Sequence, residues 1–324
     1  MQEAPATFSP TPAPPAPTFT GLHFTASPID PALIQYMVAL GAMSPWGHTL
    51  PTDHIYFYHQ LNSGPPFRPI PLVAPASGTI EFVSSGSFPR VDIRVDSQFL
   101  YWIGPVEIAS GLQRGSRVEA GMPIGFIIGG PAFDFAVLNS QLKLGFVNPR
   151  RYGRDTLTSD GPMKYFDEPV RSALRAKVRR SGGDMDGRID YDVAGTLAGN
   201  WFAESLPESE SGLGGDESIG RRKLSFARDV YEPDRQRVSI GGLGMTGLWG
   251  VPPDAPDFSA ITPASGQVVY RLLAVGEPGR PPGTQQFGLL IVQLLDAQRL
   301  RIEAVPQTTG SSASFSNRAE IYLR

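Results

Sequence analysis

Glycine and proline punctuate this chain, 36 and 32 of them among 324 residues, and that spacing limits its fold more than any other feature. Glycine supplies turn conformations that other residues resist, and proline interrupts both helices and ladder hydrogen bonds. The runs between the breaks are short and rich in β-branched and aromatic residues, so they read as strands joined by turns. Asp53–His59 alternates Asp53, Ile55, Phe57 and His59 against His54, Tyr56 and Tyr58, and further strands are expected at 79–84, 90–96, 98–103, 124–128 and 133–138. Beyond Asp184 they are expected at 195–204, 223–229, 237–241, 266–273, 288–295, 300–305 and 318–322. Successive strands without intervening helices argue for an antiparallel barrel or sandwich in this second half.

Two helices stand against this background. Asp30 as cap, Pro31 at the first position and Gly41 as stop predict one over 30–41, with apolar side chains at 33, 34, 37, 38 and 40. Pro169–Arg180 reads as a short basic helix closed by Ser181-Gly182-Gly183. The chain therefore divides into a Pro-rich tether (1–20), a β domain (21–153), a linker with the short helix (154–183) and an antiparallel β domain (184–324). Glu208–Gly220, acidic and rich in Gly and Ser, reads as a mobile loop.

Charge and composition exclude several functions. A net charge of −3 and a pI near 5.9 create no basic field that would recruit nucleic acid. The absence of cysteine removes disulfides, thiol catalysis and Cys-ligated zinc. No apolar run approaches the roughly 18 residues of a membrane span. The N-terminus has no charged and apolar leader, and its Pro/Ala/Thr segment resembles the tether that follows a removed export signal, so a secreted or cell-envelope location is expected.

Three of the four histidines fall within residues 47–59, as His48, His54 and His59, with Asp53 among them. His48 and Asp53 are the candidate metal ligands, for zinc, because neutral imidazole and carboxylate are its usual nitrogen and oxygen donors. On a regular strand His54 would face away from Asp53. Tyr56 and Tyr58 are candidates for lining a polymer-binding groove. Asp184, Asp186, Asp190 and Asp192 put four carboxylates in nine residues and are candidate calcium ligands, although Gly182 and Val193 occupy the first and twelfth positions of an EF-hand loop. No Gly-x-Ser-x-Gly is present and no histidine follows His59, which argues against a serine triad. Gly241–Gly247 lacks the Lys-Ser/Thr of a phosphate loop and reads as a flexible connection.

Several stretches occur in the order of one known family. Leu72-Val-Ala-Pro-Ala-Ser-Gly-Thr-Ile80, then Gly115-Ser-Arg-Val-Glu-Ala-Gly-Met-Pro-Ile-Gly125, then Phe133-Asp-Phe-Ala-Val137 with Val147-Asn-Pro149 resemble the lysostaphin/LytM-type (M23) zinc peptidases across about residues 47–153. The resemblance implies a mainly β protein with a duplicated-hybrid-motif barrel, and an origin in cleaving peptidoglycan cross-links. It also implies zinc held by a His-x-x-x-Asp pair and the second His of a His-x-His strand. Here His48 and Asp53 have one extra residue between them, and the aligned strand triplet is Phe133-Asp134-Phe135, which sets phenyl rings where a ligand and the general base belong. The position of the family's upstream histidine falls near Gly104-Pro105-Val106. Gly199-Asn200-Trp201 resembles a lipocalin opening.

Three readings follow. The leading one is a non-catalytic protein whose eroded cleft, lined by Tyr56, Tyr58, Phe133 and Phe135, binds peptidoglycan or another extracellular polymer or partner. The second is a zinc-dependent endopeptidase or other metal-dependent hydrolase using His48 and Asp53. The third is a self-assembling extracellular structural protein. Oligomeric state and ligand identity stay open at this level.

Overall fold

A computed structural model describes residues 21–59, 68–182, 184–210, 216–276 and 283–324; the tether at 1–20 lies outside the described residues. The first half carries β1 (Ile34–Val38), β2 (Ile55–His59), β3 (Ile70–Val73), β4 (Gly78–Val83), β5 (Val91–Arg94), β6 (Phe99–Gly104), β7 (Val106–Ile108), β8 (Arg117–Val118), β9 (Pro123–Ile127) and β10 (Ala132–Asn139). Then come α1 (Arg154–Thr158), β11 (Ser159–Asp160) and α2 (Val170–Arg175). The main sheet runs β1-β2-β10-β6-β5-β4-β8, with β11 on the end of β10, and β3-β9-β7 form a second, smaller sheet.

The two sheets enclose one apolar core. Side chains alternate along a strand, so β2 sends Ile55 and Phe57 inward, β6 sends Tyr101 and Ile103, and β10 sends Phe133, Phe135 and Val137. Phe24, from the segment preceding β1, closes this layer edge-on against Tyr101 and Phe135 at centroid distances of 5.4 and 5.3 Å. Phe57 stacks on Phe133 at 4.8 Å.

The helix expected over 30–41 does not form. Asp30 caps only a single 3-10 turn, Pro31–Leu33, before the chain enters β1. Pairing with β2 decides the outcome, because the ladder buries Ile34, Met37 and Val38 where an isolated helix would have left its other face in water. Residues 154–182 are likewise no linker. Val137 and Leu138 pair with β11, and Tyr165, Phe166 and Leu174 are fully part of the first core. The basic helix is present but short, Val170–Arg175.

The second half carries β12 (Gly199–Ala203), α3 (Glu217–Gly220), β13 (Lys223–Arg228), β14 (Gln236–Ile240), β15 (Gly247–Gly250), β16 (Val268–Leu273), β17 (Gln286–Leu294), β18 (Arg299–Pro306) and β19 (Glu320–Leu323). These eight strands close into an antiparallel barrel, each paired with its sequence neighbour and β19 returning to β12 through Phe202 and Leu323. Closure removes exposed sheet edges, and the inward side chains, Trp201, Phe226, Tyr270, Leu290 and Ile302 among them, fill the interior. Part of the stretch read as a mobile loop is ordered, since Asp216 caps α3 through Ile219 N–H.

Trp201 and Arg324 lock the two ends of the barrel chain. The Arg324 guanidinium lies 4.1 Å over the Trp201 ring and donates to the carbonyls of Val193 and Thr196, at 3.1 Å each, and of Ala198. Cation–π contact and charge-assisted hydrogen bonds act together in a site that is 5% exposed. Replacing Arg324 by Met should keep the stem but cost on the order of 3 kcal/mol, read as a lowered urea midpoint with an unchanged m-value.

Candidate functional site

Strand alternation also defines the opposite, outward face of the main sheet. Asp134 on β10 stands across from Tyr56 on β2 and Gly104 on β6, and Ala136 stands across from Trp102. The loop carrying His48 overhangs one end of this face, and α1 brings Asp155 and Thr156 over another. Together they enclose a cavity of about 380 Å³ lined chiefly by His48, Asp53, His54, Phe88, Arg90, Trp102, Asp134, Asp155 and Thr156.

His54 lies at its centre. Its Nδ1 hydrogen-bonds Asp53 Oδ1 at 3.0 Å, and its Nε2 pairs with the Tyr56 hydroxyl at 3.0 Å with Asp134 Oδ2 3.4 Å away. Asp53 and His54 precede β2, outside its regular pleat, so the expectation that they face apart fails and they bond directly. Thr156 donates its hydroxyl to Asp53 Oδ2 at 2.7 Å, and Ser159 donates to the Asp53 carbonyl at 2.7 Å. Both oxygens of the Asp53 carboxylate are therefore occupied.

These contacts set the charges. Burial works against a charged His54, yet the Asp53 hydrogen bond and the Asp134 charge outweigh it and raise its pKa above the usual value. For Asp53 burial is again outweighed, here by the His54 hydrogen bond and charge, and its pKa falls. Asp134 has weaker compensation, and burial lifts it to about 6. Burial and the neighbouring His54 lower His48 to about 4, which keeps it neutral. On the far wall Arg90 covers the Trp102 ring at 4.7 Å and bonds Asp92 at 2.8 Å and Asp155 at 3.0 Å.

The structure assembles some sequence candidates and disperses others. His48 and Asp53 do share the cavity. Phe133 and Phe135 are 0% exposed and belong to the core, so they line no groove; it is Asp134, between them, that lines the cavity. Tyr56 sits behind His54, while Tyr58 lies away from the cavity, stacked on Tyr36 at 4.3 Å. His59 is buried on the core side of β2.

The four aspartates proposed for calcium serve backbone N–H groups in separate places. Asp186 accepts from Met163 at 2.6 Å, Asp190 from Gly145 at 2.8 Å, Asp192 from Val147 at 2.9 Å and Asn200 at 2.8 Å, and Asp184 from Asp186 at 2.9 Å. Asp186, Asp190 and Asp192 act as staples between segments, and Asp184 closes its own turn, roles that proximity in sequence disguised. Sequence reasoning missed Arg90, Trp102, Asp155 and Thr156 and named Asp134 only within the Phe133-Asp134-Phe135 triplet; the pleat of β10 turns Asp134 away from its flanking phenyl rings, and the structure puts it in the cavity wall.

The zinc implied by the family resemblance does not fit this arrangement. The His54 ring separates the Asp53 and Asp134 carboxylates, and among the described residues no three His, Asp or Glu side chains are grouped to hold a metal ion.

No family model and no curated protein matches the chain. Among solved structures, part of the chain is similar to Helicobacter pylori Csd3, with 17% identity over 45% of this chain and 35% of that one, and a TM-score of 0.32. A zinc-containing peptidase from Vibrio cholerae gives 17% identity over 37% of each chain, with a TM-score of 0.29. Lysostaphin gives 12% identity over 94% of this chain and 91% of its own, with a TM-score of 0.31. The chain spans little more than a third of the first two proteins. The likeness to M23 peptidases is one of fold, and the chemistry of the cavity rests on this chain's own residues.

The His54 pair makes a pH-dependent contribution of definite sign. A histidine whose folded pKa lies above its unfolded value of about 6.5 stabilises the fold fully below that pH and loses the contribution as pH rises through the folded pKa. His54→Gln should therefore lose on the order of 3 kcal/mol at pH 6. Urea midpoints measured from pH 6 to 9 should converge on those of the wild type as the pH rises.

Proposed function

We propose that this is a non-catalytic, M23-like binding protein of the secreted or cell-envelope space, which holds an extracellular polymer of the peptidoglycan type in the cavity beside His54. The observation that carries this reading is the His54 ring between Asp53 and Asp134. A protonated imidazole there supplies internally the positive charge that two neighbouring carboxylates require. What supports the absence of metal chemistry is that, among the described residues, no three His, Asp or Glu side chains are grouped to hold an ion that would activate a water molecule.

The remaining walls favour recognition. Trp102 and Phe88 offer apolar surface, and Phe88 is 42% exposed. Asp134, Asp155 and Arg90 add polar groups at fixed positions around it. A mainly apolar cavity with a few oriented polar groups is the usual form of a small-molecule or polymer-end site. The polymer class comes from the family resemblance, and the absence of cutting from the side chains that replace its metal chemistry.

Two measurements test this. Soluble peptidoglycan fragments should bind the wild type without release of new amino termini, and Phe88→Ala should weaken binding about tenfold, or ~1.4 kcal/mol; cleavage of the fragments would overturn the proposal. After dialysis against zinc, the wild type should contain none. His54→Ala, which frees Asp53 and Asp134 beside His48, should acquire up to one equivalent.

A further inference from the structure

The loop that carries His48 has two sides. One faces the cavity, where the His48 and His54 rings lie 5.7 Å apart. Its own backbone is tight, because Ser44 and His48 exchange N–H···O hydrogen bonds of 2.8 Å in both directions. The other side rests on the barrel. Thr49, 1% exposed, directs its hydroxyl to the Gly220 carbonyl of α3 at 3.0 Å, with the Trp46 carbonyl 3.2 Å away.

Two glycines make this approach possible. A Cβ on Gly220 would stand 2.3 Å from the Trp46 carbonyl oxygen. One on Gly241, which follows β14, would stand 1.9 Å from the Gly220 carbonyl oxygen and 2.9 Å from Thr49 Oγ1. Both obstacles include backbone, which cannot rotate aside as a long side chain can. Gly241 N–H also donates to the Lys223 carbonyl at 3.1 Å, which fixes the layer to the β13–β14 ladder. Barrel, α3 and the His48 loop thus form a stack of backbone on backbone.

We infer that the C-terminal barrel is the positioning element of the cavity: through Gly241, Gly220 and Thr49 it sets where His48 stands. This gives residues 184–324 a role in the site although α3 and β14 lie outside the cavity wall. The geometric part stands on the contacts alone; its consequence for ligand affinity rests on the binding function proposed above. Coupling of this kind travels through packed, rigid elements, and it needs a direct measurement at His48.

The test uses the full chain and follows the His48 Cε1–Hε1 resonance, assigned by His→Gln substitution among the four histidines. Thr49→Val removes the hydroxyl at nearly constant volume, and Gly241→Ala inserts the obstructing methyl group. Both should shift the His48 resonance while leaving the Trp201 indole N–H signal of the barrel unmoved, and Gly241→Ala should weaken binding of a soluble peptidoglycan fragment by about tenfold. Unshifted His48 signals in the folded variants would overturn the inference. If Gly241→Ala does not fold, Thr49→Val decides alone. A shifted His48 resonance in a protein whose wild type binds no fragment would uphold the positioning role and defeat the proposed ligand.

Discussion

The pleat of β10 is the constraint on which the site depends. One face of this strand sends Phe133, Phe135 and Val137 into the core, and the other presents Asp134 and Ala136 to the cavity side of the sheet. Period-two alternation leaves no intermediate solution, since a shift of one residue would bury the carboxylate and expose the phenyl rings. Core and cavity are therefore two consequences of one register. The aromatic layer around Phe24, Phe57 and Phe135 fixes the register because it has the larger apolar surface to lose.

On the cavity side the governing quantity is charge. Two carboxylates near each other favour a cation between them, and the Asp53 hydrogen bond and the Asp134 charge accordingly raise the pKa of His54 against its burial. Donors from α1 and the segment after it, Thr156 and Ser159, complete the arrangement around Asp53. The stretch between the two domains is thereby drawn into the site. The cluster is tied to the wall of the cavity by hydrogen bonds at Asp53, while Asp134, lifted to about 6 by burial, is the carboxyl with the weaker compensation.

The two halves of the chain are also joined more closely than tandem domains connected by a tether. Phe202 and Leu206, from the start of the barrel, belong to the first core, and the Arg151 guanidinium lies 4.9 Å from the Phe202 ring. Asp192 ties Val147 and Asn200 together by accepting from both backbones. Buried carboxylates acting as staples explain an acidic run that looked like a cation loop. They also explain how a short connection can carry so much of the contact between domains.

The sequence by itself determined the β character, the ladder of short strands, the closed or layered second half and the cluster around His48 and Asp53, because alternation and turn residues are local properties. It did not determine the fate of 30–41, where capping signals for a helix yielded to strand pairing with β2. Nor did it determine that residues 154–182 pack into the core, that Asp134 shares a cavity with Asp53, or that Asp186, Asp190 and Asp192 point to separate backbones. Each of these depends on partners far along the chain: Tyr58 for Tyr36, Thr156 for Asp53, Gly145 for Asp190. Local residue patterns settle which face of a strand is apolar; only the assembled sheets decide what each face meets, because burial and hydrogen-bond satisfaction belong to the pair and not to either member.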